Sequence, residues 1–152
     1  MKKFLLLLTI TLLFNQCGYE KVYSGKNLNL FINEIKRESN SINNELSDAL
    51  LEILSDAKSE NRFNLEIQSK KFTEVKSKDI KGDPSVYVLK LETKVIATNN
   101  RTKSKYENFV SKEMNYNNND DKYELSQYKS EIEKILIRET VEEIISYLTD
   151  IR

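Results

Sequence analysis

The sequence predicts an α/β fold, a two-layer sandwich in which a four-stranded mixed sheet carries two helices on one face. Three patterns lead there. Apolar residues recur at helical spacing in two segments, from Leu46 to Ala57 and from Leu125 to Leu148. They alternate at a period of two in four others, around Leu30, Leu65, Leu89 and Val110. The order along the chain is strand, helix, strand, strand, strand, helix (β-α-β-β-β-α).

The first strand spans Leu28 to Ile35. Leu28, Leu30 and Ile32 fall on one side, Phe31, Asn33 and Ile35 on the other, and apolar side chains on both faces predict an interior strand. A polar run, Lys36 to Ser41, leads to a helix whose first free amides Asn43 or Asn44 can cap. Leu46, Ala49, Leu50, Ile53, Leu54 and Ala57 make one continuous apolar stripe, with Glu45, Asp48, Glu52 and Lys58 off it. Ser59 to Arg62 ends this helix. Phe63, Leu65 and Ile67 then alternate with Asn64, Glu66 and Gln68 as a half-buried strand. Ser69 to Ser85 is polar, and Gly82-Asp83-Pro84-Ser85 reads as a turn.

Val86 to Thr98 is the longest strand, with Tyr87, Leu89, Leu91, Val95 and Ala97 on one face. Asn99-Asn100-Arg101 makes a hairpin tip, and Ser104 to Tyr116 returns with Tyr106, Val110, Met114 and Tyr116 in phase. Asn117 to Asp121 is a polar bridge into a long helix from Tyr123 to Asp150. Its stripe holds Leu125, Tyr128, Ile132, Ile135, Leu136, Val141, Ile144, Ile145 and Leu148. The strand-helix-strand start favours a parallel crossover, and Val86 to Tyr116 an antiparallel hairpin. Two single-striped helices cover one sheet face, which leaves the other face partly open and an edge available for pairing with a partner.

The N-terminus carries a different signal. Lys2 and Lys3 precede an uncharged apolar run from Phe4 to Phe14, and the chain's one cysteine, Cys17, follows directly. The run is shorter than the roughly 20 residues that span a bilayer, and it has the flanks of an export signal. A lone thiol at that place is where a bacterial lipoprotein signal is cut and the cysteine acylated. Residues 1–16 therefore read as a cleaved lipoprotein signal, residues 17–27 as a lipidated N-terminus and tether, and residues 28–152 as one globular domain. Phe14-Asn15-Gln16 departs from the usual Leu followed by small residues, and Gln16 is larger than the usual Gly or Ala. An ordinary secretory signal cut elsewhere and an uncleaved anchor are the alternatives. Gly18 follows the cysteine where Asp would retain a lipoprotein at the inner membrane, so the outer membrane is the expected destination.

Composition narrows the function classes. Loss of Lys2 and Lys3 with the signal leaves 22 basic against 24 acidic residues. A near-neutral surface of this kind does not steer toward nucleic acid. Histidine is absent, so no imidazole serves as a base near neutral pH or as a zinc ligand. The three glycines, Gly18, Gly25 and Gly82, form no phosphate loop. The expectation is a protein without catalytic residues, metal or cofactor.

The segment Cys17-Gly18-Tyr19-Glu20-Lys21-Val22-Tyr23-Ser24-Gly25 resembles the start of the mature LPS-assembly lipoprotein LptE family, in which a proline often stands where this chain has Lys21. The resemblance continues through the strand and helix order to the junction Met114-Asn115-Tyr116-Asn117 through Asp121 and Tyr123. It implies the same two-layer sheet and tethering to the periplasmic side of the outer membrane. It implies a partner, the LptD β-barrel, whose lumen the lipoprotein plugs and whose assembly it supports. It implies contact with lipopolysaccharide on its way to the outer leaflet.

Two basic stretches are candidate lipopolysaccharide contacts. Arg101, Lys103 and Lys105 at the hairpin tip have no acidic residue among them between Ile96 and Tyr106 and could grip lipid A phosphates. A solubilising loop tip is the plainer reading of the same residues. Lys70, Lys71, Lys76, Lys78 and Lys81 form a second run interrupted by Glu74 and Asp79. Two other classes compete with an export subunit: an auxiliary lipoprotein of a lipid-transport ABC system, and a hydrolase using paired carboxylates. The hydrolase requires a cleft with two carboxyls about 5–10 Å apart.

Overall fold

The computed structural model describes residues 28–55 and 58–152. The signal, Cys17, the tether and Ala57 lie outside the described residues. The elements are β1 (Leu30–Arg37), α1 (Ser41–Ile53), β2 (Asn61–Lys78), β3 (Pro84–Asn99), β4 (Lys105–Asn117) and α2 (Lys122–Asp150). This is the expected order, and the sheet runs β1-β2-β3-β4 with β1 parallel to β2 and the other pairs antiparallel.

Both helices lie on one face of the sheet. Leu30 and Ile32 of β1, Phe63, Leu65 and Ile67 of β2, Leu89, Leu91, Val95 and Ala97 of β3, and Val110 and Tyr116 of β4 join the helix stripes in a single buried cluster. From α1 come Ile42, Leu46 and Leu50, with Leu54 just after it; from α2 come Ile132, Leu136, Ile137, Val141, Ile144, Ile145 and Leu148. Each fully buried aliphatic or Phe side chain contributes about 1.5–3 kcal/mol relative to an exposed one, so this shared layer dominates the stability of the fold. Thr140 is also buried, its hydroxyl donating to the Leu136 carbonyl at 2.7 Å, which a polarity pattern conceals. Tyr128 is half exposed, because the first turns of α2 run past the edge of the core.

Three expectations need correction. β1 is an edge strand, not an interior one, and its phase changes midway: the pairing shifts between Ile32 and Glu34. That bulge turns Ile35 toward the core beside Leu65, onto the side already occupied by Leu30 and Ile32. Leu30, Ile32 and Ile35 therefore serve one face, while Phe31 stays on the other under the Arg62 guanidinium. The first helix begins at Ser41 and is capped by Asn40, whose carboxamide oxygen accepts from the Asn43 amide at 2.7 Å. Asn43 is instead buried inside the first turn, donating its side-chain amide to the Glu38 carbonyl at 3.0 Å.

The third correction is the largest. Ser69 to Lys78, expected to be part of a turn region, continues β2 in register with β3 as far as Lys78 opposite Pro84. The turn itself is confined to Asp79–Asp83, where the Asp79 carboxylate accepts from the amides of Lys81 and Asp83, each at 2.9 Å, and Gly82 takes a φ of +88°. This extension of β2 lies beyond the buried cluster, so it needs no apolar alternation and shows little, whereas Leu89 and Leu91 opposite it on β3 belong to the core. Polar cross-strand contacts hold the extension: Lys90 sits over the Phe72 ring at 6.0 Å from its centroid and pairs with Glu74 at 2.9 Å.

Candidate functional site

The hairpin tip joining β3 to β4 is built by Asn99. Its side-chain oxygen accepts from the amides of Arg101 and Thr102 at 2.9 and 3.1 Å, while its carbonyl accepts from the Lys103 amide at 2.9 Å. Lys103 occupies the left-handed region at φ +60°. Asn100 then ties the tip to β2. Its backbone amide donates to the Arg62 carbonyl at 2.9 Å, and its side-chain amide to Asn64 Oδ1 at 3.0 Å. A loop with this many fixed amides presents its side chains in a defined arrangement.

Arg101, Lys103 and Lys105 are all exposed on this tip, and among the described residues none of the three makes a side-chain ion pair. Lysines elsewhere in the sheet contrast with them. Lys90 bridges Glu74 and Glu113, Lys94 pairs with Glu107 at 2.8 Å, Lys71 pairs with Glu133, and Lys112 pairs with Glu143. The Glu74 hydrogen bond, reinforced by the charges of Glu74 and Glu113, holds the Lys90 ammonium above its ordinary 10.5. The sheet interior thus neutralises its cations, and the tip does not.

The second basic run does not form one patch. Strand geometry sends successive side chains to opposite faces. Lys71 points to the helix face and Glu133, while Lys70 lies on the open face in register with Glu92. Lys76 donates to Asn115 Oδ1 at 3.0 Å, and Lys81 sits in the turn beside Asp79 and Asp83.

The open face carries the paired charges of Lys90 and Lys94 around a few apolar groups. Val88 at its centre is buried, Phe72 and Ile96 are half-buried, and Phe109 on the edge strand is 60% exposed. Sequence periodicity identified this face as open but not its ladder of ion pairs, which depends on register. A groove of about 550 Å³ runs between β4 and α2, lined by Asn108, Lys112, Glu139, Glu142, Glu143 and Tyr147 among others. Burial raises the Tyr147 phenol above its ordinary value, with Tyr106 and Glu107 adding to the effect. The groove is open to solvent, and no group of three or more potential ligands suited to a metal occurs among the described residues. None of the described helices is long and apolar enough to cross a membrane.

One further feature is visible only in three dimensions. β1 and β2 start where β3 ends, so the tip shares an end of the molecule with Leu28, where the described chain begins. The C-terminus meets it there: an Arg152 Nη1 donates to the Leu28 carbonyl at 2.8 Å. Asn29, at φ +48°, receives donations from Ser59 Oγ at 3.1 Å and the Glu60 amide at 3.2 Å.

No family profile and no curated relative matches the sequence. Solved structures do match the fold. The rare lipoprotein B of Shewanella oneidensis aligns over 78% of this chain and 95% of its own, with TM-score 0.56 and 11% identity. A minor lipoprotein from Acinetobacter baumannii aligns over 77% of this chain and 92% of its own, with TM-score 0.56 and 12% identity. An uncharacterised lipoprotein B from Nitrosomonas europaea aligns over 78% of this chain and 83% of its own, with TM-score 0.57 and 11% identity. At these identities the likeness establishes a shared architecture, that of a four-stranded mixed sheet under two helices.

Proposed function

We propose that this chain is a non-catalytic outer-membrane lipoprotein, anchored on the periplasmic side through acylated Cys17. In this reading it plugs and helps assemble the LptD β-barrel and assists insertion of lipopolysaccharide into the outer leaflet. The observation that carries the proposal is a conjunction: a lone cysteine ends a signal-like apolar run, and the body behind it has an architecture found in several proteins named as lipoproteins. The LptE resemblance around Cys17-Gly18-Tyr19 supplies the specific partner. Three acyl chains on Cys17 would make attachment effectively permanent, since each buried methylene contributes about 0.8 kcal/mol.

The body suits such a role. Its open sheet face presents paired charges, compatible with the polar, wet lumen of a large barrel. A stable plug interface would bury more than about 2,000 Å². Arg101, Lys103 and Lys105 supply unpaired cations for lipid phosphates, and neither cofactor nor turnover enters the role.

Affinity purification of the full chain from detergent-solubilised outer membranes, followed by identification of its partners, tests this reading. A large integral β-barrel retained in stoichiometric amount is the expected result. Recovery of an inner-membrane transporter instead would assign the chain to a lipid-transport ABC system. Recovery with no integral partner would overturn the plug role.

A further inference from the structure

The molecule is electrically uneven along its long axis. At the end that holds Leu28, Arg101, Lys103 and Lys105 stand exposed and outside any ion pair among the described residues. Arg62 and Arg152 lie at the same end, Arg62 over the Phe31 ring at 5.1 Å and Arg152 donating to the Leu28 carbonyl, and Glu60 lies there too, its backbone amide bonded to Asn29. At the opposite end, the turn between β2 and β3 mixes Lys78 and Lys81 with Asp79 and Asp83, near Asp120 and Asp121 at the start of α2. The two ends are separated by the 16 residues of β3, roughly 50 Å at about 3.3 Å per residue.

The N-terminal segment joins the body at the basic end. Eleven residues of chain cannot hold Leu28 more than about 40 Å from Cys17, and any shorter path brings the tip closer. We propose that this end is a docking surface for the anionic phosphate plane of the bilayer to which the chain is tethered, with Arg101, Lys103 and Lys105 as the phosphate contacts. The proposal rests on the acylation of Cys17 and deepens the role of the tip, naming membrane phospholipid as the source of the phosphate it meets. Guanidinium and ammonium groups both bind phosphate oxygens, Arg through two parallel donors and Lys as a point charge. The bonds made by Asn99 and Asn100 fix the backbone of the tip, so the three cations are presented from one end of the sheet. In the free lipoprotein, before it enters a barrel, anchor and patch together orient the domain, with the sheet standing away from the leaflet and the Asp79–Asp83 turn farthest from it. Each cation near an anionic surface strengthens attraction about fivefold at moderate salt, so the three bias this orientation on the order of 100-fold.

The acylated full chain attaches to any vesicle, so the test reads position rather than binding. A fluorophore is placed at the tip through Thr102→Cys, with Cys17 blocked by its acyl chains, and in a second protein at the far turn through Ile80→Cys. Ile80 is fully exposed and suits the control. Each protein is reconstituted into vesicles of phosphatidylcholine alone or of equal parts phosphatidylcholine and phosphatidylglycerol, with a quencher carried on the lipid headgroups. Strong quenching of the tip label in the anionic vesicles is expected. It should fall several-fold in pure phosphatidylcholine, at high salt, and in the triple variant R101E/K103E/K105E, with the Ile80 label unquenched throughout. Unchanged thermal melting of the triple variant shows that its fold survives.

Equal tip quenching in both vesicles, or quenching that survives charge reversal, overturns the proposal and leaves the tether alone to set position. Loss of tip quenching on addition of lipopolysaccharide micelles to the anionic vesicles would overturn phospholipid as the source and assign the tip to lipopolysaccharide. A chain that floats with neither vesicle overturns the acylation reading and this proposal with it. A chain that floats with both but shows no charge dependence overturns this proposal only.

Discussion

Asn40 shows how much one side chain decides. Its oxygen satisfies the Asn43 amide at the start of α1, as Asp121 satisfies the Tyr123 and Glu124 amides at the start of α2. Asn40→Ala should lower stability by about 1 kcal/mol, read as a lower urea midpoint with an unchanged slope. Leu50, fully buried between helix and sheet, should cost far more: Leu50→Ala is expected to remove about 2–5 kcal/mol in the same measurement. Lys90 makes a pH prediction. Its ammonium is held above 10.5 by Glu74, so its pairing contributes below 10.5, where the unfolded chain is also protonated, and is lost as pH rises past 10.5 through the folded value. The stability difference between the wild type and Lys90→Met should therefore shrink when unfolding is measured above 10.5 rather than below it. The Lys90–Glu74 pair is open to solvent, Glu74 being about half exposed, so the effect is small and screened by salt.

At the scale of elements, the far half of β2 is the weak point. Phe63 to Ser69 lies under the helices, whereas Phe72 to Lys78 is held by register and surface pairs alone. Native-state hydrogen exchange should show the amides of Phe72–Lys78 opening with lower free energy than those of Phe63–Ser69, and equal protection of the two halves would contradict this division. The same division explains what periodicity could reveal. The strand was visible where burial forces alternation, at Phe63, Leu65 and Ile67, and invisible where both sides face water. Thr73 and Val75, alternate residues on one side of the extension, were the weak signal available. The bulge at Ile32/Glu34 hid the edge position of β1 because it reverses facing without leaving a mark in composition. Helix stripes fared better, since Leu46, Leu50, Leu54, Ile132, Leu136, Val141, Ile144, Ile145 and Leu148 reached the core as their spacing requires, although Ile135 stays outside it and Ile137, off the stripe, is buried. At the tip, the cations were visible in the sequence, but their proximity to Leu28 was not: it comes from the parallel pairing of β1 with β2.

For the whole molecule, one face is closed by helices, one is open and charge-paired, and one end gathers unpaired cations beside the point of chain entry. Such a body has surfaces for docking: an open face, the free edge of β4 with Phe109, and a basic end. The barrel role, the membrane contact and the outer-membrane address all depend on the tether. Mass spectrometry of the N-terminal peptide, from protein isolated from its native membrane, tests that dependence most directly. The account predicts a mature chain beginning at Cys17, with a diacylglyceryl group on its sulfur and an acyl group on its amine. A peptide starting elsewhere, or a Cys17 with a free thiol, would contradict it.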